Sequence, residues 1–345
     1  MVPVFHIIAI LRSCKSETIT SIRSFLVLFL FIITLTIISA AGCTLAQNMA
    51  KPAQVRISTG GTAGTYYPLG QAMASIINDY TKGIEATAVV SEGSIANIGK
   101  IGDKQAEFAL IQNDIAYYAQ QGIYMFENQP APNLSGIASL YPEVVQIVTL
   151  KEYGIKSLVD LNGKRVGVGA VGSGTAVNIL QVFKAVGLDE TNMAIQYLDF
   201  QECDYALKQG TIHAGCIVSG TPTSAVIDIT SARDIAIVEI PGETRNQLIT
   251  SFPFYLPAII KAGTYIGIDE DVNTISVQAI LATRADLSED TVYEFTKAIF
   301  EHKEVLESAH QRGKDITLAT ALGGMSITLH PGAQRYFVAR ELPIP

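Results

Sequence analysis

Ser58-Thr59-Gly60-Gly61-Thr62-Ala63-Gly64-Thr65-Tyr66-Tyr67-Pro68-Leu69-Gly70 follows a short strand-like run, Val55 to Ser58, and leads into Leu69, Met73, Ile76 and Ile77 at helical spacing. The run predicts a strand, and the spacing predicts a helix from about Tyr67 to Asn78. Glycines at such a junction let the backbone turn tightly and let a ligand come close to it. The first-turn N–H groups of the helix have no intrahelical partner, and with the helix dipole they attract an anion. Thr62 and Thr65 add hydroxyl donors. The same residues also read as a simple tight turn, and this loop alone does not choose between the two.

A second unit of the same kind lies downstream. Arg165 to Gly169 reads as a strand, Gly172-Ser173-Gly174-Thr175 as a loop and Ala176 to Val186 as a helix. Around the first loop, Glu85 to Val90, Phe108 to Gln112 and Val144 to Leu150 read as strands, and Ser94 to Ile101 as a helix. Beyond the second loop, Ile195 to Leu198, His213 to Val218 and Ile235 to Val238 read as strands, followed by an apolar return segment, Val277 to Thr283. Ser288-Glu289-Asp290 then supplies a cap and first-turn acid for another helix. Strands alternating with helices imply parallel sheet covered on both faces. Two such series, each opened by a glycine loop, imply two α/β lobes with a cleft between them.

Several chemistries are argued against. Gly167-Val168-Gly169-Ala170-Val171-Gly172 matches G-x-G-x-x-G, but only Val166 separates Gly167 from Lys164-Arg165, so the strand has to run through Gly167 and Gly169. A dinucleotide fold ends its strand before the first glycine. Asp199 comes too late for the acid expected about 20 residues on. Neither loop ends in Gly-Lys-Ser/Thr, and no G-x-S-x-G is present. His213, His302, His310 and His330 are scattered and there is no Cys-x-x-Cys, so neither a metal nor a cofactor is expected. Glu92 and Asp114 are the only carboxylate pair placed to meet, too little to assemble an acid and a base. The chain therefore reads as a binding protein and not an enzyme.

The first 46 residues read as a leader. Phe25 to Ile38, FLVLFLFIITLTII, is uncharged, follows Lys15 and Arg23, and precedes Ser39-Ala40-Ala41-Gly42. That is the pattern of a secretory signal, and the run is shorter than the ~20 residues of a membrane span. An uncleaved anchor is the competing reading. Ala40-Ala41-Gly42-Cys43 resembles a bacterial lipobox without its usual Leu, whereas Thr44-Leu45-Ala46 before Gln47 suits ordinary cleavage. Arg12, Lys15 and Arg23 against Glu17 give the leader +2, so its removal takes the formal charge from −8 to −10. An acidic chain has no bulk field for nucleic acid or anionic lipid. Cys203 and Cys216 could pair in an oxidising compartment or stay as two buried thiols.

Four segments in order resemble the TAXI family, the substrate-binding receptors of one class of TRAP transporter. They are Ser58 to Gly70, Ser91-Glu92-Gly93-Ser94-Ile95-Ala96-Asn97, Leu161 to Val166 leading into Gly172 to Thr175, and Leu329-His330-Pro331-Gly332-Ala333 with Arg335-Tyr336-Phe337. Gln334 and Ala339-Arg340-Glu341 depart modestly from the pattern, in the last helix. The resemblance implies a type II periplasmic-binding-protein fold: two α/β lobes, a hinge of two crossing strands and an interlobe ligand cleft. Lobe one would be residues 54–150 plus 275–345 and lobe two residues 151–274. It also implies a periplasmic receptor, soluble or lipid-anchored at Cys43, that captures a small organic anion such as glutamate or a dicarboxylate. That carboxylate ligand would pass to the TRAP transporter membrane subunits, with membrane contact only through an anchor or that docking. The alternative is the binding protein of an ABC importer or a sensor system, and behind it an enzyme on the same fold.

Carried onto this chain, the cleft candidates are Thr62, Tyr66 and Tyr67; Ser91, Ser94 and Asn97; Gln112 and Asp114; Ser173 and Thr175; and Ser219 and Thr221. Each has a plainer reading. Tyr67 suits a core ring, and Ser94, Asn97 and Asp114 suit helix caps. No arginine stands out as a carboxylate clamp, since Arg56 and Arg165 sit at strand starts. Recognition would then fall to backbone N–H groups and hydroxyls.

Overall fold

Val55 and Ile57 turn inward and Arg56 outward along β1 (Ala53–Ser58), the strand that opens the first glycine loop. The computed structural model describes residues 52–344; the expected leader and Cys43 lie outside the described residues. After β1 come α1 (Tyr66–Tyr80), β2 (Ile84–Val89), α2 (Ser94–Gly102), β3 (Phe108–Gln112), α3 (Asn113–Gln121) and the long β4 (Leu134–Leu150). The second series is β5 (Arg165–Gly167), α4 (Gly174–Ala185), β6 (Ala194–Gln196), α5 (Phe200–Lys208), β7 (Ala214–Ser219), α6 (Ser224–Thr230), β8 (Ile235–Ile237), α7 (Gly242–Ser251) and β9 (Leu256–Ile260). The chain returns through β10 (Val272–Arg284) and ends with α8 (Glu289–Glu301), α9 (Lys303–Ala309) and α10 (Pro331–Ala339).

The strands form one sheet in the order β2-β1-β3-β10-β4-β7-β5-β6, with β8 on β4 and β9 on β10. β1 is parallel to β2 and β3, and β5 is parallel to β6 and β7. Between these parallel groups, β10 and β4 run antiparallel to their neighbours. Val144 pairs with Ser276 of β10 and with Ser219 of β7, so β4 leaves one group for the other at that point. Each group has apolar clusters on both faces. The first packs Leu69, Met73, Phe295 and Phe337 on one side and Ile98, Ile111 and Ile115 on the other. The second packs Ile179, Phe183 and Leu248 opposite Cys203, Leu207 and Val226. Fully burying side chains of this size contributes about 1.5–3 kcal/mol each. Ala53–Pro345 form a compact unit around these clusters.

Most expected elements are present, with instructive differences. The expected strand at Val144 begins at Leu134, because Gly136, Ser139, Pro142 and Glu143 interrupt the apolar pattern without interrupting the strand. Proline is ordinarily excluded from inner strands. Here Gln278, opposite Pro142, gives its N–H to Asn113 Oδ1 (3.1 Å), so the ladder is already broken where Pro142 has none to offer. The strand after Lys164 stops at Gly167 instead of Gly169. Gly169 has φ +103, and a Cβ there would lie 2.9 Å from Ser173 Oγ. It serves the loop, while Gly167 lies inside the strand, contrary to a dinucleotide fold. The helix after it starts at Gly174, since Ser173 caps it by accepting the Ala176 N–H at 3.1 Å. Ser288 caps α8 with Glu289 and Asp290 in the first turn, as the sequence predicts. Cys203 and Cys216 are buried free thiols.

Candidate ligand-binding site

The C-terminal ends of β1, β2, β3, β5, β6 and β7 meet around one cavity of about 240 Å³. Open α/β sheets place ligands outside these strand ends. Gly60, Gly61, Gly64, Thr65 and Tyr66 come from the loop after β1, and Val90, Ser91, Glu92, Gly93 and Ser94 from that after β2. Gln112 ends β3. Ala170, Ser173, Gly174 and Thr175 follow β5, Asp199 and Phe200 follow β6, and Val218 and Ser219 end β7. Glu143 of β4 completes the lining.

The two halves touch directly around this cavity. Thr65 Oγ1 lies 3.0 Å from Ser219 Oγ and donates to the Gly220 carbonyl at 3.2 Å. The N–H groups of Ile95 and Ala96 both donate to the Gly172 carbonyl at 3.1 Å. The first turn of α2 is therefore spent on the other half of the protein, not left free for an anion. Asn178 Nδ2 donates to Asp114 Oδ2 at 2.7 Å. Gly174 admits Gln112: a Cβ at Gly174 would stand 1.8 Å from Gln112 Oε1.

The electrostatics are acidic. Among the described residues no Lys, Arg or His lines the cavity, while Glu92, Glu143 and Asp199 do. Glu92 is exposed and Lys100 lies 3.6 Å away. Asp199 caps α5 through the Glu202 N–H at 2.8 Å. Glu143 is buried and receives the Tyr66 hydroxyl at 2.9 Å. Burial pushes its carboxyl up from 4.5 to about 8, against the lowering by the Tyr66 hydrogen bond. Burial likewise pushes Asp114 up from 3.8 to about 6, against the lowering by Asn178.

A raised carboxyl value favours folding below the ordinary value and loses that advantage as pH rises through the folded one. Unliganded protein is thus expected to lose stability between about pH 4.5 and 8 on account of Glu143, by up to about 1.4 kcal/mol per pH unit. Glu143→Gln should flatten the upper part of that profile in urea unfolding and leave the protein more stable than the wild type at pH 8. Parallel profiles for the two proteins would contradict this.

Of the sequence candidates, Tyr66, Ser91, Ser94, Gln112, Ser173, Thr175 and Ser219 line the cavity. Thr62 is exposed and outside it, and Tyr67 is half-buried with its hydroxyl on Gln71 at 3.0 Å, neither a core ring nor a lining residue. Asn97 lies behind the lining, where its amide ties Ser58, Ser91, Thr59 and Leu110 together, and it caps nothing. Ser94 opens α2 and accepts the Gln112 N–H at 3.1 Å. Asp114 joins the halves instead of capping α3, whose N-cap is Gln112, and Glu92 does not meet it. Thr221 precedes a cis Pro222 away from the lining. Arg56 pairs with Glu107 at 3.2 Å and Arg165 holds the Thr211 carbonyl, both remote from the cavity as expected. Glu143, Asp199 and Phe200 were not among the candidates. A lone acid inside the apolar run around Val144 was the available signal, because buried acids are rare without a role. A second groove of about 860 Å³ is lined by Asn113, Pro142, Phe254, Gln278 and Arg312 among others.

A family model described as the NMT1-like family matches residues 57–339. Among solved structures, a protein from Bordetella bronchiseptica RB50 is 17% identical, with 84% of this chain and 90% of that one covered and a TM-score of 0.52. The periplasmic aliphatic sulphonate binding protein SsuA from Escherichia coli is 13% identical, with 84% and 83% covered and a TM-score of 0.45. The alkanesulfonate-binding protein SsuA from Xanthomonas axonopodis pv. citri, bound to MOPS, is 14% identical, with 84% of each chain covered and a TM-score of 0.45. The sheet topology gives a periplasmic-binding-protein fold, two α/β halves bridged by two strands over a cavity.

Proposed function

The chain belongs to the NMT1-like family, and from that premise we propose that it is a solute-binding protein that holds a small ligand between its halves and delivers it to the membrane subunits of an importer. The observation that carries this reading is the convergence of strand ends from both halves on one cavity, bridged by β4 and β10. Residues 54–150 plus 275–345 and residues 151–274 are the two lobes of this reading. They turn about β4 near Val144 and β10 near Ser276, where the pairing passes from one group to the other. Ligand then shifts an open–closed equilibrium because only the closed form completes its contacts.

Thr175 is the hydroxyl that would meet a carboxylate or a comparable anionic group, at ~1 kcal/mol net for each hydrogen bond; Ser173 Oγ donates to the Ala170 carbonyl at 2.7 Å and Ser91 Oγ to Asn97 Oδ1 at 2.6 Å, and each would have to turn from that acceptor to join it. Glu143, Tyr66 and Gln112 form the wall beyond them. The leader places the protein outside the cytoplasmic membrane, released or anchored at Cys43. Among the described residues no helix is long and apolar enough to cross a membrane. The matching family is described as NMT1-like, a description that names no partner; an ABC-type import system is put first as the importer. The four segments that resemble TAXI receptors support a TRAP transporter as the second reading. The protein binds its solute and does not transform it.

Native mass spectrometry and thermal-shift screening with small acids and amino acids test the function. The expected result is a stoichiometric adduct, recovered chemically unchanged, and stabilisation of about 2.7 kcal/mol at a ligand concentration 100 times Kd. A protein that retains no solute and is stabilised by none, or one that converts the solute, contradicts the proposal.

A further inference from the structure

The cavity's charge is the reverse of what a doubly anionic ligand needs. Its one buried carboxyl is Glu143, 3% exposed, whose Oε2 is held by Tyr66 at 2.9 Å. The titratable groups that bear on Glu143 are Tyr66 from α1, Tyr141 from its own strand and Asp114 from α3, all neutral or acidic. The cations nearby are engaged outside the lining, Lys100 at 3.6 Å from Glu92 and Arg312 at 2.8 Å from Asp315. Gln112, itself buried, hydrogen-bonds Glu143 through its side chain, as Tyr66 and Tyr141 do, while its side-chain oxygen has no hydrogen-bond partner. A carboxyl and an unpartnered amide oxygen side by side call for a donor, because a buried polar group without a partner is costly.

We infer that the ligand presents a protonated nitrogen to Glu143 and Gln112, so that the cavity takes an amine-bearing or zwitterionic solute and discriminates against a dicarboxylate. The inference rests on the receptor reading and narrows it. A second carboxylate would face Glu143 and Asp199 with no cation among the described lining residues to offset them. An ammonium group pairs with the Glu143 carboxylate, and the carboxyl proton that burial holds in the empty cavity passes to solvent as the ligand docks. The other end of a zwitterion would lie against Ser173 and Thr175, across the cavity lining from the opposite half. At about 240 Å³ the space falls below the ~300–1,000 Å³ of drug-sized pockets, which suits a small solute.

Calorimetric titration of the protein tests this with 4-aminobutanoate, alanine and propylamine against butanedioate and pentanedioate, at pH 7 in two buffers of different ionisation heat. The expected result is binding of at least one nitrogen-bearing probe with proton release, and dicarboxylates weaker by about 100-fold or more. Glu143→Gln, checked for folding by its melting curve, should weaken the nitrogen-bearing probe by about 100-fold, the scale for removing one partner of a buried charged pair. A dicarboxylate that binds as tightly, or unchanged affinity in Glu143→Gln, overturns the inference and leaves the receptor reading standing. If no probe binds, the solute that co-purifies decides by its mass. A basic nitrogen in a solute that Glu143→Gln fails to retain supports the inference, a nitrogen-free acid overturns it alone, and no solute at all overturns both readings.

Discussion

Gly174→Val is expected to weaken ligand binding by about 10- to 100-fold while the chain stays folded. A Cβ at this position would lie 1.8 Å from Gln112 Oε1, 2.7 Å from its Cδ and 3.1 Å from Ile115 Cγ1. Gln112 and Ile115 belong to the first half and Gly174 to the second, so the clash exists only where the halves meet. The end of a glutamine side chain can swing aside, but valine carries two further methyl groups toward the buried Ile115. Overpacking of this kind costs about 1–3 kcal/mol, and here the closed form alone bears it. Apparent affinity falls with the fraction of protein able to close. Isothermal titration with the identified solute, alongside a melting curve of the unliganded variant, measures both. Unchanged affinity would mean that the halves do not have to approach at Gly174 for ligand to bind.

Asn97→Leu is expected to cost about 4 kcal/mol of folding stability, read as a lower urea midpoint. Asn97 is fully buried. Its Oδ1 lies 2.6 Å from both Ser58 Oγ and Ser91 Oγ, and its Nδ2 donates to the carbonyls of Thr59 at 2.6 Å and Leu110 at 2.7 Å. Leucine matches the volume but strands the Ser58 hydroxyl and takes the amide donor from the Leu110 carbonyl, while Ser91 Oγ and the Thr59 carbonyl keep each other at 2.8 Å; each buried polar group left unpaired costs about 1–3 kcal/mol. A loss below about 1 kcal/mol would show that water or a shift of the loop replaces the amide. Because Ser91 lines the cavity, the same substitution reaches the site through its orientation.

Asn97 also shows what the sequence reveals and what it conceals. The segment Ser91 to Asn97 marks a site-forming loop, yet Ser91 faces the cavity while Asn97, in the first turn of α2, supports it from behind. Spacing identifies the loop and cannot say which side chain points inward. The glycine loops were legible because glycine, hydroxyl and helix start occur in a fixed order. Tyr66 and Tyr67 were legible only as a pair, and it is Tyr66 that turns into the cavity. Glu143 escaped because β4 was read from its apolar half at Val144, and the preceding Gly136, Ser139 and Pro142 resemble a loop. Antiparallel pairing across the sheet, far away in sequence, keeps those residues in the strand. The roles of Asp114 and Asn178 depend equally on the meeting of two distant helices, which no local pattern encodes.

A crystal structure of the protein with its solute tests the central claim most directly. The account predicts electron density for the ligand in the cavity between Tyr66 and Glu143 on one side and Ser173 and Thr175 on the other, with the Thr65–Ser219 contact closed. Ligand seated instead in the groove beside Arg312 and Phe254, with only water against Glu143, would contradict it.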